Sequence, residues 1–163
     1  MKKFTAENDF INFSLPDQEG QIKQLSDYQG KWLILYFYPK DDTPGCTKEA
    51  VGFKELHASF KERSVEIIGV SADSQKKHVK FIEKYGLPFT LLSDENKTLI
   101  NELGLWIQKK FMGREYMGID RVTYLIDPEG KVRKQYEKVT PDKHAEEILN
   151  DIKKLEKANC NDE

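Results

Sequence analysis

Hydrophobic positions change their period along this chain, and each change marks an element. Residues 10–15 alternate loosely, Pro16-Asp17-Gln18-Glu19-Gly20 supplies turn chemistry, and Gln21-Ile22-Lys23-Gln24-Leu25 alternates again, which predicts a small N-terminal β-hairpin. Trp32-Leu33-Ile34-Leu35-Tyr36-Phe37-Tyr38 is apolar throughout, the pattern of a central strand covered on both faces, and Val65–Val70 reads as a second. Between them Cys46, Ala50, Phe53, His57 and Phe60 recur at helical steps, predicting one helix and hence a βαβ unit. Ser74 is placed to cap the next helix, whose Val79, Phe81, Ile82 and Tyr85 pattern stops at Gly86 with Pro88 just beyond. A short strand near Phe89–Leu92 follows.

A weaker helical signal spans Asn96–Leu103 and ends at Gly104, while 105–120 shows no clear period and is read as an irregular or hairpin-like loop. Val122–Ile126 and Val132–Tyr136 flank the turn sequence Asp127-Pro128-Glu129-Gly130-Lys131, predicting an antiparallel hairpin. Thr140 then reads as a cap and Pro141 as the first residue of a final helix with an apolar stripe at Ala145, Ile148, Leu149, Ile152 and Leu155. Lys153, Lys154 and Lys157 form its solvated face. This order gives one α/β domain over 1–163, a central mixed sheet flanked by helices, with 158–163 a frayed tail.

Composition narrows the chemistry. The 163 residues include 33% charged side chains that nearly cancel to a net −2, so no basic field invites nucleic acid. Acidic residues interrupt the N-terminal segment before a signal peptide could form, and the longest apolar run falls far short of the roughly 20 residues of a membrane helix. A cytoplasmic protein that engages no membrane is expected. The only cysteines are Cys46 and Cys160, which excludes a disulfide scaffold and an all-cysteine zinc site. His57, His78 and His144 share no metal-ligand spacing and are read as structural or solvent-facing, and no cofactor motif is present. Lys109, Lys110 and Arg114 read as a solvated basic loop, with contact to an acidic reductant as the alternative, and Met112 and Met117 as packing residues.

Cys46 stands apart from this background. It follows the carboxyl end of the central strand, where open α/β sheets place their sites. With Thr43 as N-cap and Pro44 at N1, Gly45 is N2 and Cys46 is N3, the position at which a capping box holds an anion. The helix dipole and free N–H groups there favour thiolate over thiol and should lower the Cys46 pKa below its reference of about 8.5. Asp41 and Asp42 oppose this by like charge, so a cation from elsewhere in the fold is required. The alternative, a small buried hydrophobe, is supported by the place of Cys46 on the apolar stripe.

At this point the sequence resembles the peroxiredoxins, specifically the bacterioferritin-comigratory protein or Q subfamily. Pro39-x-x-x-Thr43-x-x-Cys46 matches the family motif, and the likeness continues through Phe37-Tyr38-Pro39-Lys40, Thr43-Pro44-Gly45-Cys46-Thr47, Phe89–Asp94, Phe111-Met112-Gly113 and Gly118–Asp127. The resemblance implies a thioredoxin-like fold, which the element order also fits, and a thiol-dependent peroxidase in antioxidant defence. It would reduce hydrogen peroxide and organic hydroperoxides, with Cys46 as the peroxidatic cysteine that becomes a sulfenic acid. Arg121 would supply the missing cation, Thr43 would hydrogen-bond peroxide and sulfur, Pro39 would shield the pocket from water, and the N–H groups of Gly45 and Cys46 would add donors. Glu49 is either a partner that orients Arg121 or a simple exposed helix residue.

Many members of this subfamily carry a resolving cysteine five residues after the peroxidatic one, where this chain has Val51. Cys160 is the only other thiol. It is read as a bystander, because nothing in the sequence holds it within the ~7 Å that a disulfide needs; resolution within or between chains is the alternative. A one-cysteine cycle is therefore expected, closed by thioredoxin, glutaredoxin/glutathione or another thiol reductant, in a monomer or weak homodimer. A dithiol–disulfide oxidoreductase is disfavoured because Thr43 stands where a Cys-x-x-Cys pair would need its first thiol. A non-enzymatic redox sensor remains the rival of another class.

Overall fold

The computed structural model describes residues 10–161, with side chains from 10 to 157. The apolar run predicted to be central forms β3 (Trp32–Phe37), following a hairpin of β1 (Ser14–Pro16) and β2 (Ile22–Gln24). All six residues of β3 are buried, and their alternation divides the core between the two faces of the sheet. Trp32, Ile34 and Tyr36 face one layer with Ala50, Phe53, Phe60, Phe81, Ile148 and Ile152, whereas Leu33, Leu35 and Phe37 face another with Leu92, Ile100, Leu105 and Ile119.

β4 (Val65–Ser71) and β5 (Thr90–Ser93) extend the sheet in parallel on one side of β3. β8 (Val122–Ile126) and β9 (Val132–Tyr136) extend it antiparallel on the other, giving the order β5-β4-β3-β8-β9. Ile34 pairs with Ile67 across the parallel ladder and with Leu125 across the antiparallel one. α3 (Gln75–Tyr85) links β4 to β5, with Ser74 accepting from the Lys77 N–H and Gly86 ending the helix at φ 61°. The mixed sheet, its covering helices and the N-terminal hairpin are those read from the sequence.

Two helix expectations are corrected. The stripe from Cys46 to Phe60 is carried by two helices, α1 (Pro44–Glu55) and α2 (His57–Glu62), with a bend at Leu56. Leu56 packs on the core and keeps the apolar face in phase across the bend, which is why the period looked continuous. The last helix, α5 (His144–Asn161), begins at His144, not at Pro141. Residues 141–143 are a turn closed by Lys143 N–H to Thr140 O, with Pro141 lying near Gly45 and Gly52 of α1.

Segment 105–120, beyond the short α4 (Thr98–Glu102), is a regular hairpin of β6 (Trp106–Phe111) and β7 (Arg114–Ile119). Its loop is Met112-Gly113 at φ 51° and 79°, the left-handed pair that a two-residue hairpin demands. No one-sided alternation marked it because much of both strands is exposed; Met112 and Met117 point to solvent and are not packing residues. The side chain of Cys160 lies outside the described residues.

Candidate active site

β3 ends at Phe37, and the chain crosses Tyr38 to Thr43 before α1 begins at Pro44. Thr43 is the N-cap, with extended φ −93° and ψ 156°, and Cys46 occupies the third helical position. Instead of closing the helix, the Thr43 hydroxyl donates to the Lys40 carbonyl oxygen at 3.0 Å, so α1 has no side-chain cap. Its first N–H groups and the positive end of its dipole remain directed at the ground around Cys46. The thiol is 1% exposed, at the floor of the site, and Pro39 is half-buried beside the loop.

Arg121 enters between β7 and β8. Its Nη2 donates to Cys46 Sγ at 3.3 Å and its Nη1 to Glu49 Oε1 at 2.9 Å, so one guanidinium fork joins thiol and carboxylate. Glu49 is buried, one helical turn beyond Cys46, and is not an exposed helix residue. Gly45 makes this approach fit: a Cβ there would lie 3.1 Å from Arg121 Nη2. Sequence reasoning placed these residues in one site, and the fold brings Cys46, Gly45, Glu49 and Arg121 into contact.

The electrostatics follow from burial and pairing. Burial opposes the charge of Arg121, but Glu49 and Cys46 more than offset it, raising its pKa and holding it cationic. Burial pushes the Glu49 carboxyl up to about 7 against the pull of Arg121. Burial, then Glu49 and Cys46, hold the Tyr36 phenol well above its ordinary range, so it stays neutral beneath the site. His144 is held down at about 4 by burial and then by Arg121, and its Nε2 lies 2.7 Å from Thr123 Oγ1. A guanidinium against a buried sulfur at an uncapped helix start provides donors where charge would develop on a nearby oxygen.

The two aspartates feared as opposing charges are engaged elsewhere. Asp42, at φ 60°, accepts from Lys84 Nζ at 2.7 Å and Tyr85 Oη at 2.6 Å. Asp41 turns to Tyr38 and to His78, which is wholly buried. No local sequence signal marks these contacts. Lys109 is partly buried on β6, in a strand and not a solvated loop, and its pKa is lowered by burial and then by Arg121. Clefts of about 390 and 440 Å³ open elsewhere on the surface and include neither Cys46 nor Arg121.

Comparison with known proteins identifies the family. Residues 6–135 match the AhpC/TSA family. The chain is 49% identical over 144 residues to peroxiredoxin Bcp of Bacillus subtilis, covering 88% of this chain and 92% of that one. It is 42% identical over 141 residues to peroxiredoxin Bcp of Escherichia coli K12, covering 86% and 90%. Among solved structures, the bacterioferritin comigratory protein of Xanthomonas campestris superposes with a TM-score of 0.84 at 35% identity, covering 94% of this chain and 98% of that one. A PrxQ mutant of Xylella fastidiosa gives 0.85 at 36%, covering 95% and 97%. The chain belongs to the AhpC/TSA family and, within it, to the Bcp/Q peroxiredoxins, thiol-dependent peroxidases on a thioredoxin-like fold.

Proposed function

We propose that Cys46 is the peroxidatic nucleophile of this enzyme and that hydrogen peroxide and organic hydroperoxides are its substrates. The observation that carries the reading is the Arg121 fork, with one nitrogen on the Cys46 sulfur and the other on buried Glu49. In the proposed cycle the thiolate attacks the terminal oxygen of the hydroperoxide. The S–O bond forms as the O–O bond breaks, and the departing oxygen takes a proton to leave as alcohol or water. Arg121 and the N–H groups of Gly45 and Cys46 stabilise charge on that oxygen. Thr43, its proton engaged by Lys40, offers oxygen lone pairs to the peroxide O–H. Pro39 limits water, and Glu49 orients the guanidinium.

The sulfenic acid is then reduced from outside. One thiol of a thioredoxin, glutaredoxin/glutathione or other reductant displaces water to form a mixed disulfide, and a second thiol releases Cys46. Val51 at the position of the local resolving cysteine supports this one-cysteine cycle. Resolution by Cys160 is the alternative, and a chain acting as monomer or weak homodimer suffices for either. The Xanthomonas campestris neighbour is described for alkyl peroxide reduction, which supports the organic substrates. The proposed setting is the cytoplasm, whose reducing poise keeps a free thiol such as Cys46 active; no helix among the described residues is long and apolar enough to cross a membrane.

The test is peroxide consumption under a regenerating thiol system. Cys46→Ser should lose turnover while keeping its circular dichroism spectrum, and Cys160→Ser should retain it. A Cys46→Ser protein that still consumes peroxide would rule the assignment out.

A further inference from the structure

Beside the active-site loop, Tyr38, Asp41 and His78 form a second buried polar cluster to which the cycle above assigns no part. His78 is 0% exposed and the Asp41 side chain 5%. His78 Nε2 lies 3.0 Å from the Leu92 carbonyl oxygen, which can only accept, so Nε2 carries a proton. Nδ1 lies 2.6 Å from Asp41 Oδ2. The other oxygen, Oδ1, accepts from the Tyr38 hydroxyl at 2.6 Å. Burial, and then Asp41, hold that phenol well above its ordinary range, so it remains the donor. One proton therefore occupies the line between Nδ1 and Oδ2. Whether it sits on nitrogen or oxygen, the pair carries no net charge.

Neutrality matters because of where Asp41 stands. It precedes the Thr43 cap by two residues, in the loop that leads into the first turn of α1, and its side chain is only 5% exposed, so an unpaired charge there would be poorly screened. The other charged groups on the packed elements are already committed. Asp73 Oδ2 accepts from Asp41 N–H at 2.8 Å and from Ser71 Oγ at 2.7 Å, with Lys77 Nζ 4.0 Å from Asp73 Oδ1. Lys84 serves Asp42. Among the described residues, His78 is the only side chain in ion-pair contact with Asp41.

We propose that His78 is a positioning residue for the reactive thiol. By sharing one proton with Asp41, it anchors the loop from Pro39 to Thr43 and neutralises the Asp41 charge in the segment that leads into the Cys46 turn. The proposal rests on Cys46 being the peroxidatic sulfur, and its test separates the two ideas.

Peroxide consumption is followed across about pH 5 to 9 for the full chain, for His78→Gln, for the double variant His78→Gln/Asp41→Asn, and for Cys46→Ser. In His78→Gln the unneutralised carboxylate opposes a thiolate. The rate near neutrality should fall by about tenfold, and its rise with pH should move up by about one pH unit. Adding Asp41→Asn removes that charge and should return the profile to its original position, a rescue that a purely structural role for His78 would not show. A loss equal at every pH, or a displaced profile that Asp41→Asn does not reverse, overturns the proposal.

If His78→Gln does not fold, Asp41→Asn alone carries the test. Removing the negative member should leave the profile in place or move it to lower pH; movement to higher pH overturns the proposal. Residual turnover in Cys46→Ser would defeat the assignment of Cys46 itself. An inactive Cys46→Ser beside an unmoved His78→Gln profile would defeat only the part given to His78.

Discussion

α1 and α3 begin in equivalent places, each just past the carboxyl end of a parallel strand of the same sheet, yet only α1 brings a thiol against a guanidinium. α3 closes its own start: Ser74 Oγ accepts from the Lys77 N–H at 3.2 Å. α1 does the opposite, sending the Thr43 hydroxyl back to Lys40 and leaving its first turn uncapped. Into that opening come Gly45, which admits a neighbour where a Cβ would crowd it, and Arg121, whose guanidinium reaches the sulfur. A helix N-terminus by itself is thus only a favourable field for an anion. In the proposed site α1 differs by the cap withheld, the cation brought from 75 positions along the chain, and the buried carboxylate paired with it.

The contrast can be broken most severely at the cation. Arg121→Gln should lower the second-order rate with peroxide about 10²-fold or more, because both the thiolate and the departing oxygen lose their charged donor. Stopped-flow peroxide consumption would check this, and a loss smaller than threefold would mean that the uncapped helix start suffices alone. Gly45→Ala tests the close approach. It should push the Arg121 tip away by a few tenths of an ångström and reduce the rate about three- to tenfold, with little change in melting temperature.

Glu49 sharpens the electrostatic side of the comparison. Its carboxyl sits at about 7 in the folded chain and near 4.5 when unfolded. Between those values the native state holds a proton that the unfolded state has lost, so stability should fall as pH rises through this window. Urea titrations of the full chain and of Glu49→Gln should show the difference shifting against the full chain from about pH 4.5 to about pH 7, then levelling. A shift in the other direction would mean that Arg121 outweighs burial.

The smallest effect is expected at the closed helix. Ser74→Ala should cost about 1 kcal/mol of stability in denaturant melts and leave peroxide turnover unchanged. A large loss of activity there would erase the distinction between the two helix starts.

How much of this was legible in the sequence depends on how far apart the interacting residues stand. Pro39, Thr43, Gly45 and Cys46 fall within one stretch of eight residues, so local capping rules and the family motif identified them together. β3 was legible because both its faces are buried, and the 122–136 hairpin because its turn residues are explicit. Arg121 is 75 positions from Cys46, and only the motif connected them. The Asp41–His78 pair spans 37 positions with no local signature, and Lys109 sits on a hairpin whose exposed strands carry no strong period. The bend at Leu56 was hidden for the converse reason, since an apolar face that stays in phase conceals a break in the backbone.

The most direct test of Cys46 as the reacting sulfur is to treat the reduced full chain with one equivalent of hydrogen peroxide, trap sulfenic acid with a dione reagent, and locate the adduct by peptide mass spectrometry. The expected result is a single adduct on Cys46, absent from Cys46→Ser and strongly reduced in Arg121→Gln at the same exposure time. An adduct or disulfide that forms as fast in Cys46→Ser as in the full chain would contradict it and move the chemistry away from the α1 N-terminus.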